Sequence, residues 1–279
     1  MNNDGGVYSK MEKEMSTQMG IRKNGFLDLP SLRDQVSSEE WKMRVDLAAC
    51  YRLVALWDMV DMIANHISAR VPGEPDHFLI NAYGMLHEEI TASSLIKIDL
   101  DGAIISKPPF DYGVNRAGFV IHSAIHRERH AVDCVIHTHT PAGMAVSAMK
   151  CGLMPMTQTA MRFARVAYHD YEGVAIDLAE QERLVADLGD ADLMILRNHG
   201  LLVVGPTIPQ AFSNIYRAEL ACKAQIMAMG CNTEIILPAP DVIARTNHLY
   251  RPEVRRPFGI LEWPALLRKL DRIDPSYQH

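Results

Sequence analysis

No stretch of this 279-residue sequence approaches the ~18 consecutive apolar residues of a membrane span, so an integral helical membrane protein is not expected. Residues 1–25 mix Asn, Asp, Gly, Lys, Glu and Ser without a hydrophobic centre, which argues against a secretory signal. Cysteine is sparse. Cys50, Cys134, Cys151, Cys222 and Cys231 are odd in number, contain no CxxC pair and sit among apolar or small residues, as reduced, buried thiols of a cytoplasmic protein do. Basic excess is also missing: the net charge of −6 and pI near 6.0 argue against nucleic-acid or anionic-membrane partners. There is no internal repeat and no low-complexity segment. These absences leave the expectation of a soluble cytoplasmic globule.

What is present is an ordinary globular composition, 48% hydrophobic and 22% charged, in a chain long enough for one well-buried domain with terminal extensions. Residues 1–35 lack a period and read as an N-terminal arm. From Ser37, the positions Trp41, Val45, Ala49, Leu53, Leu56, Val60 and Ile63 recur every three or four residues, predicting an amphipathic, core-packing helix. A strand follows at 65–70 and another at 78–81. Ile96, Ile98 and Leu100 alternate up to Asp101-Gly102, a two-residue hairpin turn. Asn115 caps a helix to about His130, on which His122, His126 and His130 share a face; such a ladder reads more readily as a solvated or interface face than as a site. Asp177 and Glu180 have the spacing of a capping box for a helix ended by Gly189, and a longer helix runs from about Thr207 to Gly230. The Pro-rich remainder, 236–279, reads as a packing or oligomerisation tail with one short helix near Ala265–Arg272. Hairpins mixed with helices, without regular βα alternation, predict an α+β domain over 36–235. Its architecture is three-layer α/β/α with a central mixed, mainly antiparallel sheet.

The chemistry-bearing stretch is Val135-Ile136-His137-Thr138-His139-Thr140-Pro141. On a strand, His137 and His139 point to the same face, roughly 6.7 Å apart along the backbone. Asn198-His199-Gly200 lies between two apolar runs, as the tight turn of a hairpin would. A third imidazole there would make a three-His site with an open coordination position, the usual form of a catalytic metal centre. The competing reading is three hydrogen-bonded core histidines.

In order and spacing, Asn65-His66-Ile67-Ser68-Ala69-Arg70, Tyr83-Gly84 with Glu89-Ile90-Thr91, His137-Thr138-His139 and Asn198-His199-Gly200 resemble the class II aldolase/adducin family. Val114 to Phe119 followed by His122, and Glu262 to Arg268, resemble its adducin-like bacterial branch. The resemblance implies a helix-flanked, largely antiparallel sheet assembled as a homotetramer. It also implies that His137, His139 and His199 hold a divalent ion, zinc first, with iron or manganese as alternatives. Substrate-binding positions carried over are Asn65 and Gly84, with Arg116 beside them. Two departures stand out. The family's acid/base Glu, nineteen positions before the first His ligand, corresponds to Gly118, and its phosphate-holding Ser pair corresponds to Arg116 and Ala117. In addition, Ala64 replaces the glycine before Asn65.

The expectation is therefore a metal-dependent lyase of aldolase or decarboxylase type on a small oxygenated substrate other than a sugar phosphate. His122, Glu89 and Tyr83 are the candidate proton carriers, against a structural role for Tyr83 and a surface-carboxylate role for Glu89. Three neutral imidazoles suit Fe(II) as well as Zn(II), so a three-His non-haem iron oxygenase is one alternative. A non-catalytic assembly module like an adducin head is the other.

Overall fold

Ser37 accepts a hydrogen bond from the Glu40 N–H and opens helix α1 (Ser38–Leu56). The computed structural model describes residues 27–163, 165–173 and 178–279, so most of the expected N-terminal arm, and Asp177 of the expected capping box, lie outside the described residues. The α1 helix stops short of Ile63, to which its apolar spacing continues. Asp58 and Met62 both take left-handed backbone angles (φ 54° and 45°), and the Asn65 side chain closes the loop by accepting the Asp61 N–H at 2.7 Å. Spacing alone does not carry a helix through two such residues.

Eight strands form one sheet in the order β4-β3-β2-β1-β5-β8-β7-β6. They are β1 (His66–Val71), β2 (Glu74–Ile80), β3 (Ile96–Asp99), β4 (Ile104–Ser106), β5 (Cys134–Thr138), β6 (Val166–His169), β7 (Leu193–Leu196) and β8 (Gly200–Gly205). Every pairing is antiparallel except β6 with β7, giving the expected mixed, mainly antiparallel sheet. The remaining helices are α2 (Arg116–Glu128), α3 (Pro141–Ala148), α4 (Gln158–Met161), α5 (Glu180–Leu188), α6 (Ile208–Gly230), α7 (Pro240–Leu249) and α8 (Trp263–Ile273). The α1, α3 and α6 helices cover one sheet face, while α2 and α5 cover the other. Strand alternation divides the core accordingly. Ile67, Ala69, Cys134 and Ile136 join the larger apolar cluster, and Val135, Leu202 and Val204 join a smaller one with Ile121, Ile125 and Leu184. By the same period of two, His66, Ser68 and His137 point into the α2 layer.

Four local expectations change. The β3–β4 connection is longer than two residues, because the Asp99 carboxylate accepts the Asp101 and Ala103 N–H groups and sets a wider loop. Pro141 ends β5 but also begins α3, with Thr140 Oγ1 accepting from the Gly143 N–H. Cys151 and Cys231 are exposed, unlike the other three thiols. The tail holds two α-helices, and its Trp263 and Tyr277 are buried. Trp263 Nε1 donates to Asp46 of α1 at 2.9 Å, while Arg52 of α1 pairs with Asp274 at 3.1 Å. Burying one such large side chain contributes roughly 1.5–3 kcal/mol, so the tail is fastened to α1. Leu266 and Leu267 are half-buried against the same core.

Candidate metal centre

Strand β5 brings His137 to its far end, and His139 follows one residue past it. The β7–β8 turn brings His199 alongside, and each residue of Asn198-His199-Gly200 has a geometric reason. Asn198 takes the left-handed angle of the tight turn (φ 55°). A Cβ at Gly200 would stand 2.3 Å from the Thr138 carbonyl oxygen, so only glycine lets the hairpin cross β5 there. His199 Nε2 then lies 2.9 Å from His139 Nε2 and 3.3 Å from His137 Nε2, and the latter two are 2.8 Å apart.

The outer nitrogens decide what this triangle is. His137 Nδ1 lies 2.9 Å from the Leu201 carbonyl and must donate to it. His139 Nδ1 lies 3.0 Å from an Asp61 carboxylate oxygen and donates likewise. Both Nε2 atoms therefore face one another as lone pairs, which repel unless a cation stands between them. Protonation is a poor answer. Burial, with His199, His66 and His139 close by, holds His137 well below the ordinary imidazole range, while burial and His139 bring His199 down to about 4. A divalent ion with ligand nitrogens at ~2.0–2.1 Å requires N···N separations of about 2.9–3.4 Å. The three observed separations fit that requirement to about 0.1 Å. Carbonyl and carboxylate partners on the outer nitrogens are the supports that fix tautomer and ring orientation in metal sites.

Behind the triad lies a buried polar column. The His66 ring centroid is 5.0 Å from that of His137 and 4.6 Å from that of His122. His66 Nδ1 bonds His122 Nε2 at 2.8 Å, and Ser68 Oγ joins His122 Nδ1 (2.6 Å) to His126 Nε2 (2.7 Å). His122 and His126 are completely buried, so the expected solvated face of α2 is core; only His130 of that ladder is exposed. Burial holds His66 and His122 well below the usual range and takes His126 to about 3. His122 thus stands one imidazole removed from the triad, with His66 between. Gly118 explains itself here: a Cβ on it would meet the His66 ring at 2.7 Å.

The other sequence candidates are placed variously. Asn65 is buried, and its Nδ2 has no hydrogen-bond partner. Gly84 has φ 126° and packs against Tyr112. Tyr83 is half-exposed and bridges Gly113 through its backbone N–H. Glu89 accepts the Leu86 N–H at 2.7 Å, and Arg116 is exposed at the start of α2. Among the described residues, no hydrogen bond joins any of these five to the triad. Asp61 and His66 escaped the sequence reading. Asp61 was hidden in what read as a helix continuing to Ile63, and His66 carried no signal beyond its place beside Asn65.

The family model for the Class II Aldolase and Adducin N-terminal domain matches residues 45–226. An aldolase II superfamily protein from Pseudomonas syringae, known from its crystal structure, is 50% identical over 90% of this chain and 100% of that one, with a TM-score of 0.83. L-fuculose 1-phosphate aldolase from Glaciozyma antarctica PI12 is 27% identical over 87% of this chain and 94% of its own, with a TM-score of 0.77. Alpha-adducin of Rattus norvegicus is 40% identical over 243 residues, which is 83% of this chain but 33% of the adducin. With a family match over most of the chain and the three imidazoles converged at the end of β5, this protein belongs to the class II aldolase/adducin family.

Proposed function

We propose that this chain is a metal-dependent lyase of aldolase or decarboxylase type, acting on a small oxygenated substrate other than a sugar phosphate. The observation that carries the reading is the Nε2 triangle of His137, His139 and His199, with two outer nitrogens already committed as donors. A bound divalent ion would supply a Lewis acid for negative charge developing on a substrate oxygen. The chain's residues do the rest. Asp61 and the Leu201 carbonyl keep two imidazoles aimed. Burial keeps His137 and His199 unprotonated, and Asn65 Nδ2 is an unused donor for a substrate oxygen. His66 is the proton carrier we favour: its Nδ1 is tied to His122, which leaves Nε2 to hold or deliver a proton. Tyr83, Glu89 and Arg116 remain candidates only if the loops that bear them close over the substrate. Assembly as a homotetramer belongs to the same proposal, as does zinc as the resident ion.

The test is metal content of protein purified without added metal, for wild type and His139→Ala, followed by carbonyl or CO2 release from hydroxy and keto acids. The wild type should hold about one zinc per chain and His139→Ala little. Iron in place of zinc would favour the oxygenase, and full occupancy in His139→Ala would place the ion elsewhere. A metal-free wild type that also fails to take up added zinc would favour the assembly module.

A further inference from the structure

Of the three metal-centre histidines, His139 is the least held by the sheet. His137 is paired within β5, and His199 is closed between the paired residues Leu196 and Gly200. The register of β5 with β8 ends at Thr138 with Leu201, and His139 follows it before α3 begins at Pro141. Asp61 fixes the outer nitrogen of the His139 ring, but that contact does not place the backbone from which the ring hangs. The corner between strand and helix is held instead at the next residue, Thr140.

Thr140 is completely buried, and its hydroxyl is committed twice. Oγ1 accepts the Gly143 N–H at 3.1 Å and donates to Glu219 Oε2. Glycine at 143 lets the start of α3 come this close: a Cβ there would stand 2.8 Å from Thr140 Oγ1 and 2.8 Å from Leu201 Cγ. Glu219 arrives from the middle of α6, 79 residues further along the chain, and is only 3% exposed. A carboxylate withdrawn from water is costly unless its oxygens are satisfied, and here the compensation is thin. It lies far from the helix N-terminus, where the dipole would favour it. Its cation is Lys223 of the same helix, 3.2 Å from Oε1, whose side chain is 48% exposed and therefore screened by water. Oε1 makes no hydrogen bond. The firm partner of this buried charge is the hydroxyl beside His139. Capping α3 does not by itself require it. Thr157 and Thr207 cap α4 and α6 through the same hydroxyl-to-N–H bond without donating to any buried carboxylate.

We propose that Glu219 is a positioning residue of the metal centre, holding the His139 main chain through Thr140 so that its ring meets those of His137 and His199. The role rests on the reading of the three imidazoles as a metal site, and it gives that site a second fixed point. Asp61 sets how the ring is turned, and Glu219 sets where its backbone sits. Ligand constellations of this kind must be held to within about 0.5 Å, which a corner left free beyond the last strand pair would not ensure.

The experiment is zinc competition with a chromophoric chelator on the full, metal-stripped chain, with urea midpoints of the metal-free protein alongside. Glu219→Leu removes the acceptor and should lower zinc affinity at least about tenfold, the low end for groups that support metal ligands. Glu219→Gln keeps an oxygen for the Thr140 hydroxyl and should restore most of that loss. Thr140→Val keeps the shape and removes the same bond, so it should match Glu219→Leu, and the double variant should lose no more than either alone. Thr207→Val removes a cap at the other end of β8. It should lower the urea midpoint and leave zinc affinity at the wild-type value. Should Glu219→Leu fold poorly, Thr140→Val decides. Wild-type affinity in Thr140→Val or Glu219→Leu would overturn the proposal and leave the metal reading intact. A loss in Glu219→Gln as large as in Glu219→Leu would also overturn it, since charge acting through space would then replace position. Failure of the wild type to take up zinc would instead end the metal reading, and the role of Glu219 with it.

Discussion

Asp61 and Gly118 are the two residues whose roles the structure alters most. Asp61 fixes His139 through Nδ1, so Asp61→Asn keeps the shape but removes the charge that favours this tautomer. Supports of this kind are worth about 10–100-fold in metal affinity. Zinc competition with a chromophoric chelator should show a loss of that size, and unchanged affinity would mean that His139 is oriented by β5 alone. At Gly118 the backbone is helical and not left-handed, so what resists a side chain is the His66 ring. Gly118→Ala should destabilise by about 1–3 kcal/mol, the usual cost of overpacking, and His66→Ala should relieve most of that penalty. Additive urea midpoints in the double variant would remove the contact from consideration. Gly118→Glu should give no cleavage of fuculose- or ribulose-type sugar phosphates in a coupled assay with zinc loaded, because the carboxylate has no room and Arg116 and Ala117 still replace a Ser pair.

At the scale of elements, the buried contact of β1 with α2 makes stability depend on pH. His66, His122 and His126, with His87 beside Asn65, are neutral in the folded chain. Burial takes His87 to about 4 and His126 to about 3 and holds the other two well below 6.5. The unfolded chain therefore binds more protons below pH 6.5, and stability must fall as pH drops from there towards 3–4. The slope is about 1.4 kcal/mol per pH unit for each histidine. Urea midpoints of metal-free protein should be level between pH 7 and 8 and clearly lower at pH 5.5; a level profile down to pH 5 would require these histidines to be solvated. The sequence made α2, β5, the β7–β8 hairpin and α6 legible, since their caps and periods are local. It also placed the triad, because two ligands share a strand face and the third sits in a recognisable turn. It left unreadable whatever depends on which element lies behind which. The burial of His126 needs α2 laid on β1, the end of α1 needs two left-handed residues, and Asp61 becomes a partner of His139 only once that loop has turned.

Considered as a whole, the molecule still carries apolar surface after its own tail has packed. Trp263 and half of Leu266 and Leu267 are spent on α1, but Met227 (73% exposed), Ile236 (89%) and Leu261 (65%) are open to solvent. Light scattering should accordingly give four times the 31.3 kDa chain mass, and Met227→Lys with Ile236→Lys should lower it. A monomeric wild type at micromolar concentration would end the tetramer reading. The ligand arrangement has a further consequence, for mechanical integrity. His139 and His199 are 60 residues apart in sequence, and His139 is joined to Asp61, 78 residues away in the other direction. An ion held by the three imidazoles would be a cross-link that pins the loop after α1, the end of β5 and the β7–β8 hairpin at one point. At a hundredfold excess over its dissociation constant it would add about 2.7 kcal/mol to the folded state. For a chain of this size, that is roughly 5 °C of melting temperature. Stripping the metal should therefore shift the melting curve even where no substrate is known, and it should loosen that one corner of the sheet to hydrogen exchange before any other.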